Sequence, residues 1–568
     1  MSASGFNDPS QKYSPCIPAD LPGRTWPSQT ISQAPLWCSL DLSDGSQALP
    51  IAMSLEEKVD LFHLLTKIGF KEIEVGSPGA DPSDHAFLRH LIDQQLIPAD
   101  VALQVTSPCT ESLIVKTYQA IAGAPRVIFH FSGNINPSPW EPGDSGGQEA
   151  ILAAARACAG QIHGLGREAR QKGLKLTYAY SLEGFTEAEP AFALRIAEEV
   201  LDVLEAEAVQ PVILGLPATV ERCTPNHYAD QIEGFCQNIR NRNRFILSVR
   251  PSNDRGSAVA AAELAMLAGA ERIEGSLFGN GPRAGNADLM TLSLNLYSQG
   301  INPGLDFSDI NNLRQVYQKA AHLPVSPRHP YAGELVYTAF TGAQQEAILN
   351  ALSQRKKRRL TGWQVPYLPL DPADVGRQYE PILRINSHSA RASAGFILEN
   401  LFGYKIPKAM LPELGQMIRD RADRDDLEIN GETLLAIFSE EFVRPQGPYE
   451  LKSFRTAYLN EADEEDNEVH FSGIINYNGE AKEAEGKGNG PIDALYDALK
   501  TLGAADYDFL SYDQHALSSG SDSRAVAYIQ LRDKQGRSRF GAGTSRDIRK
   551  ASLRALISAV NRMSRIQD

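Results

Sequence analysis

Between residues 36 and 277 short β-branched runs alternate with longer amphipathic segments, and this repeat constrains the fold more than any other feature of the chain. The runs predict strands at 36–42, 72–76, 101–105, 126–131, 175–180, 211–214, 245–249 and 272–277, most followed by a helix-like stretch such as 54–68 or 187–205. About eight βα units in roughly 250 residues predict a (β/α)8 TIM barrel, whose chemistry sits where strands end and loops begin. The residues just after each strand are therefore the ones to read.

The barrel domain is expected to span 31–305, after an N-terminal arm at 1–30. Residues 306–445 read as helical linker subdomains: 307–352 mainly helical, 361–374 Pro-rich and extended, 390–437 helical again. Residues 446–568 read as an α+β module with strands followed by a helix, twice: 454–459, 469–477 and helix 491–502, then 507–517, 525–532 and helix 546–562. The acidic run 461–468 predicts an exposed hairpin loop, and glycines 486–490 form a weak ligand-cradle signal.

Composition enters as a filter on function. A net charge of -15 and a pI near 5.3 argue against a nucleic-acid partner. No apolar run approaches the roughly 18 residues of a membrane span, and the arm has no basic start or apolar core, so a cytoplasmic protein is expected. The basic run Arg355 to Arg359 reads as a solvated helix end rather than a polyanion contact. Cys16, Cys38, Cys109, Cys158, Cys223 and Cys236 contain no CxxC pair and predict reduced thiols, with neither zinc nor a disulfide framework.

The run Trp37 to Leu49, containing Asp41-Leu42-Ser43-Asp44-Gly45, resembles the first-strand signature of the 2-isopropylmalate synthase family. The likeness continues through Gly69 to Gly76, Leu216 to Glu221, Asn253 to Gly256, Gly279-Asn280-Gly281, Pro330 to Leu335 and Asp374 to Arg377. Near the C-terminus, Gly488 to Pro491 and Ala559 to Arg562 resemble the family's leucine-sensing domain. The resemblance implies condensation of acetyl-CoA with a 2-oxo acid, 2-oxoisovalerate in the leucine pathway. It also implies a divalent metal of the magnesium or manganese type that holds and polarises the 2-oxo acid, and a homodimer.

Several positions depart from the family pattern. Ser43 stands where the family has its oxyanion arginine, before the ligand Asp44. Arg250 and Ser252 stand where two histidines ligate the metal, and Asn286 matches the remaining ligand. Gln344 stands at the family's acid/base histidine, where an amide cannot shuttle protons. His130, Ser181, Glu183, Thr219 and Tyr379 match the family's substrate-region positions. The candidate set is thus Glu183, Arg250 and Tyr379 for catalysis, and His130, Ser181, Thr219, Asp44 and Asn286 for substrate, with no metal site expected.

Two readings of Arg250 stay open. A guanidinium offers no lone pair, so it either grips a substrate carboxylate in place of the metal or neutralises the carboxylate of Asp44. Three functions follow: a diverged enzyme acting on an acyl-CoA or 2-oxo acid without metal, a non-catalytic paralogue that partners a genuine synthase, or an ordinary synthase.

Overall fold

The computed structural model describes residues 10, 12–13, 16, 21–136, 147–204, 211–339, 342–379, 394–395, 397–399, 402–425, 431–458, 468–517 and 523–565. They fall into two units, Met1–Val336 with Leu370–Gln378, and Tyr337–Pro369 with Tyr379–Asp568.

In the first unit eight parallel strands close into a barrel: β1 (Leu36–Ser39), β2 (Glu72–Glu74), β3 (Ala102–Thr106), β4 (Arg126–Asn134), β5 (Lys175–Glu183), β6 (Val212–Gly215), β7 (Phe245–Val249) and β8 (Arg272–Gly275). The pairing of Leu36 with Arg272 seals the ring. The crossover helices begin and end on local signals. Ser54 and Glu57 form a reciprocal capping box before Leu55–Ile68, and Gly69 ends that helix at a left-handed φ of 116°.

Strands β4 and β5 run three residues beyond the apolar stretches that mark them in the sequence, staying paired up to Asn134 and Glu183. His130, Ser181 and Glu183 are therefore held on rigid strand rather than on loops. Side chains alternate along each strand, so every second residue points into the barrel. At the bottom Ile128, Ala179 and Ile213 form an apolar plug. Above it lies an ionic layer, in which the fully buried Arg272 reaches Glu72 at 2.5 Å, Glu274 at 2.7 Å, Gln104 at 2.7 Å and Ser248 at 2.9 Å.

The second unit carries two three-stranded antiparallel sheets, each covered by a helix. The first is β9 (Tyr449–Tyr458), β10 (Val469–Tyr477) and β11 (Glu480–Gly488) with helix Pro491–Thr501; the second is β12 (Asp508–Ala516), β13 (Ala525–Arg532) and β14 (Ser538–Ser545) with helix Ile548–Ser564. Sequence patterning anticipates two strands per half; β11 and β14 are additional. Glycines explain both. A Cβ on Gly486 would sit 2.3 Å from the Ala494 carbonyl oxygen, and one on Gly541 would sit 2.1 Å from the Ala559 nitrogen, so each helix lies directly on the backbone of its third strand.

Helices Leu411–Asp425 and Gly431–Phe438 belong to this unit, as does Gly342–Arg358, whose last turn carries the largely exposed basic run. The expected helix at 307–352 is interrupted: Ile310–Ala321 is helical, but 322–339 is not, because Pro324, Pro327 and Pro330 remove backbone donors. The acidic run expected at 461–468 lies outside the described residues except for Glu468.

The cysteine expectation is corrected. Cys16 is bonded to Cys223 and Cys109 to Cys158, pairs separated by 207 and 49 residues, while Cys38 and Cys236 are thiols. Spacing rules see only neighbours in sequence, whereas the barrel brings these Cα atoms to 5.9 and 5.5 Å. Among the described residues no helix is long and apolar enough to cross a membrane.

Candidate active site

At the mouth of the barrel Arg250, just past β7, is held by carboxylates from β2, from β8 and from the short helical turn after β1. Its Nε donates to Glu274 at 3.1 Å, its Nη2 donates to both oxygens of Glu74 at 3.1 and 3.0 Å, and its Nη1 lies 3.7 Å from Asp44. Both glutamate side chains are 4% exposed and Arg250 is 20% exposed. Ser43 donates to Glu74 at 2.6 Å, and Gln104 donates to its other oxygen at 2.5 Å.

Burial and charge pull these groups in opposite directions. Burial raises the Glu274 pKa, but Arg250 and Arg272 together outweigh it and bring the carboxyl down to about 2. Glu74 is also lowered, chiefly because Arg250 overcomes its burial. For Asp44, at the longer distance, burial outweighs the attraction of Arg250 and the pKa is raised. Burial disfavours the charge on Arg250, yet Glu74, Asp44 and Glu274 more than compensate and keep it protonated.

Across the mouth, His130 Nε2 lies 2.9 Å from Ser181 Oγ, and its Nδ1 lies 3.3 Å from Thr106 Oγ1 and 3.8 Å from Glu74. Burial lowers its pKa in spite of Glu74, so the imidazole is neutral near pH 7. Thr219 donates to Glu183 Oε2 at 2.6 Å and accepts from the Gly184 N–H at 3.0 Å, which orients the carboxylate and leaves Oε1 without a partner among the described residues.

The loop after β8 completes the rim. Asn280 donates to the Gly45 carbonyl at 3.0 Å, and the buried Asn286 lies against Gly281, where a Cβ would meet its amide at 2.5 Å. Ser252 donates to the Thr219 carbonyl at 3.2 Å.

These donors do not fit a divalent metal. Of the four positions at which the resemblance leads one to expect metal ligands, Arg250 carries a positive charge and no lone pair, and Ser252 is engaged with backbone. Asp44 and Asn286 alone are ordinary ligands, against the six or so oxygens a hard cation takes. Among the described residues no cluster of three or more His, Cys, Asp or Glu side chains is placed to hold a metal ion.

The fold therefore brings Asp44, His130, Ser181, Glu183, Thr219, Arg250, Ser252 and Asn286 to one end of one barrel. Tyr379 and Gln344 belong to the second unit. The Tyr379 hydroxyl is shielded without a partner among the described residues, and burial pushes its pKa up to about 12. Sequence reasoning missed Glu74, Glu274 and Arg272. Their signal was the two-residue spacing of Glu72 with Glu74 and of Arg272 with Glu274, which puts charge on the inner face of two strands that both flank β1.

Behind the rim Asp41 is buried, accepting from the Leu277 N–H at 3.0 Å and from Ser39 at 2.8 Å. Burial raises its pKa from 3.8 to about 7. A raised folded pKa contributes stability below the unfolded value that is lost as pH rises through the folded one. Urea unfolding of the wild type relative to Asp41→Asn is expected to show stability falling by about 1.4 kcal/mol per pH unit between about pH 4 and 7. A difference that does not vary with pH would show that Asp41 stays ionised.

A family model described as HMGL-like matches residues 34–316, one described as alpha-isopropylmalate synthase, post-catalytic domain-like, matches 334–399, and one described as LeuA allosteric (dimerisation) domain matches 428–564. Among curated relatives, a 2-isopropylmalate synthase of Clostridium acetobutylicum is 42% identical over 97% of this chain and 99% of its own. Proteins of the same description from Rhodospirillum rubrum and Azotobacter vinelandii are each 42% identical, over 98% of this chain and 99% and 98% of theirs.

Proposed function

Because the chain belongs to the 2-isopropylmalate synthase family, we propose that it receives an acyl-CoA and a 2-oxo acid at the barrel mouth and uses the Arg250 guanidinium where the family pattern places a divalent metal. The observation that carries this reading is the clamp on Arg250: two nitrogens are committed to Glu274 and Glu74, while Nη1 has only a 3.7 Å contact to Asp44. That leaves one fixed, charged donor at the mouth. Glu183 Oε1 takes a proton from the thioester methyl, the carbanion attacks the ketone carbon, Arg250 Nη1 hydrogen-bonds the alkoxide that forms, and the alkoxide takes its proton from water. Hydrolysis of the thioester then releases CoA.

The match to the LeuA dimerisation domain supports a homodimer. The setting we propose is cytoplasmic, with the Cys16–Cys223 and Cys109–Cys158 bonds then formed under oxidising conditions.

Charge balance favours a second reading. Arg250 faces Asp44, Glu74 and Glu274, and the charge of Glu183 also reaches it, a net negative surrounding that opposes an anionic 2-oxo acid. A non-catalytic paralogue that partners a genuine synthase accounts for this balance. Purified protein mixed with acetyl-CoA and a panel of 2-oxo acids separates the two. We expect CoA release that is unchanged by a chelator. Release only on adding a divalent metal would overturn the metal-free chemistry, and no release under any condition would leave the paralogue reading.

A further inference from the structure

A well-formed cavity of the first unit lies apart from the ionic cluster. It has a volume of about 680 Å³ and lies beside the rim, between the loops after β6 and β7 and the described part of the N-terminal arm. Its wall includes Ala218 and Ser252, close in sequence to Thr219 and Arg250.

Two of its polar atoms lack partners. Gln231 donates through Nε2 to the Thr186 carbonyl at 2.8 Å, which fixes its amide; its Oε1 and the Thr186 Oγ1 are shielded from solvent with no hydrogen bond among the described residues. A desolvated acceptor held in one orientation calls for an N–H donor, and the neighbouring hydroxyl can donate to an adjacent acceptor. Tyr13, His227 and Tyr228 add ring surface to the same wall.

The rim is positive although the chain is acidic overall. Glu187 is paired with Arg222, and the Glu221 carboxylate accepts from the Arg255 backbone N–H and the Ser257 hydroxyl. Arg255 makes a side-chain hydrogen bond to the Arg222 carbonyl at 3.0 Å, but neither it nor Lys12 forms an ion pair among the described residues. The bond between Cys16 and Cys223 ties the arm bearing Lys12 and Tyr13 to the loop that forms the opposite wall.

A flat ring with an exocyclic N–H, an adjacent ring acceptor and an attached phosphate satisfies all of these groups. We propose that the cavity is an adenine-nucleotide site, with the amine on Gln231, the ring nitrogen on Thr186 and the phosphates on Lys12 and Arg255. The nucleotide is either free or the 3′-phospho-ADP end of an acyl-CoA; the second source rests on the function proposed above.

Calorimetry on the full-length, unreduced protein with 3′,5′-ADP, AMP and CoA, and no 2-oxo acid, tests this. We expect 3′,5′-ADP to bind one per chain, and Gln231→Leu and Arg255→Glu each to weaken it by about tenfold while melting as the wild type does. Cys223→Ser, which frees the arm, is expected to weaken it severalfold. CoA binding more tightly than 3′,5′-ADP identifies the acyl-CoA end as the occupant; CoA binding no better identifies a free nucleotide. The proposal falls if neither 3′,5′-ADP nor AMP binds, or if both the Gln231→Leu and Arg255→Glu variants bind as the wild type does. Since no turnover is required, a chain that never releases CoA from an acyl-CoA and a 2-oxo acid can still pass.

Discussion

Replacing Arg250 with methionine is expected to destabilise the protein by about 3–5 kcal/mol at neutral pH, the range for breaking a buried ion pair from one side. The reason lies in what remains. Glu74 and Glu274 are each 4% exposed, and Arg250 is the guanidinium common to both. Arg272 still serves Glu274, so the heavier penalty falls on Glu74, left with Ser43, Gln104 and a 3.5 Å contact from Thr106 as donors. The penalty must also depend on acidity. With Arg250 in place Glu274 titrates at about 2 instead of 4.5, so its stabilisation is complete above pH 4.5 and is lost as pH falls through 2. Without Arg250 that depression shrinks, and the difference between variant and wild type is expected to narrow steadily below pH 4.5. Urea unfolding across pH 3–7 measures it. A cost under about 1 kcal/mol at pH 7, in the range of exposed ion pairs, would mean the cluster is more hydrated than its geometry implies.

For Glu183→Gln the expected result is kinetic: a fall in CoA release of about 10²–10⁴, the contribution of a positioned general base. The amide preserves shape and can still accept the Thr219 hydroxyl, which now meets Glu183 at 2.6 Å, so folding should be undisturbed. It cannot take a proton. Thr219→Val should lower the rate less, since it removes the orienting bond and leaves the base. Single-turnover release of CoA with the best substrate pair is the measurement, alongside a melting curve for each variant. If Glu183→Gln retains more than about a tenth of the wild-type rate, the proton goes to another group and Glu183 is structural.

The barrel was legible because its strands are β-branched and buried on both faces, so they stand out as apolar runs between amphipathic helices. Lengths were less so: Ser132 to Asn134 and Ser181 to Glu183 are largely polar, and only their mutual pairing makes them strand. Strands β11 and β14 escaped notice because their glycine, alanine and charged residues have low strand preference; they are strands because a helix needs a bare backbone to lie on. In the site, the family resemblance singled out Asp44 and Arg250, both of which lie just past strands. Reading the residues after each strand could not supply Arg250's chief partners, because Glu74 and Glu274 lie within strands, and facing direction is a property of the closed barrel. Asp44, the partner expected for Arg250, is its most distant carboxylate contact. The two disulfides were hidden for the same reason, since their cysteines become neighbours only through the fold.

The clamp around Arg250 also bears on how this barrel could have changed through time. An imidazole placed at position 250 without a metal would leave Glu74 and Glu274 short of positive charge, while a metal arriving with Arg250 still present would meet a fixed like charge. Each single step between this mouth and a metal-binding one is therefore worse than either end point, and the substitutions must come together. With an arginine seated among buried carboxylates the order of mutations matters, and stability alone separates the two kinds of mouth by a valley.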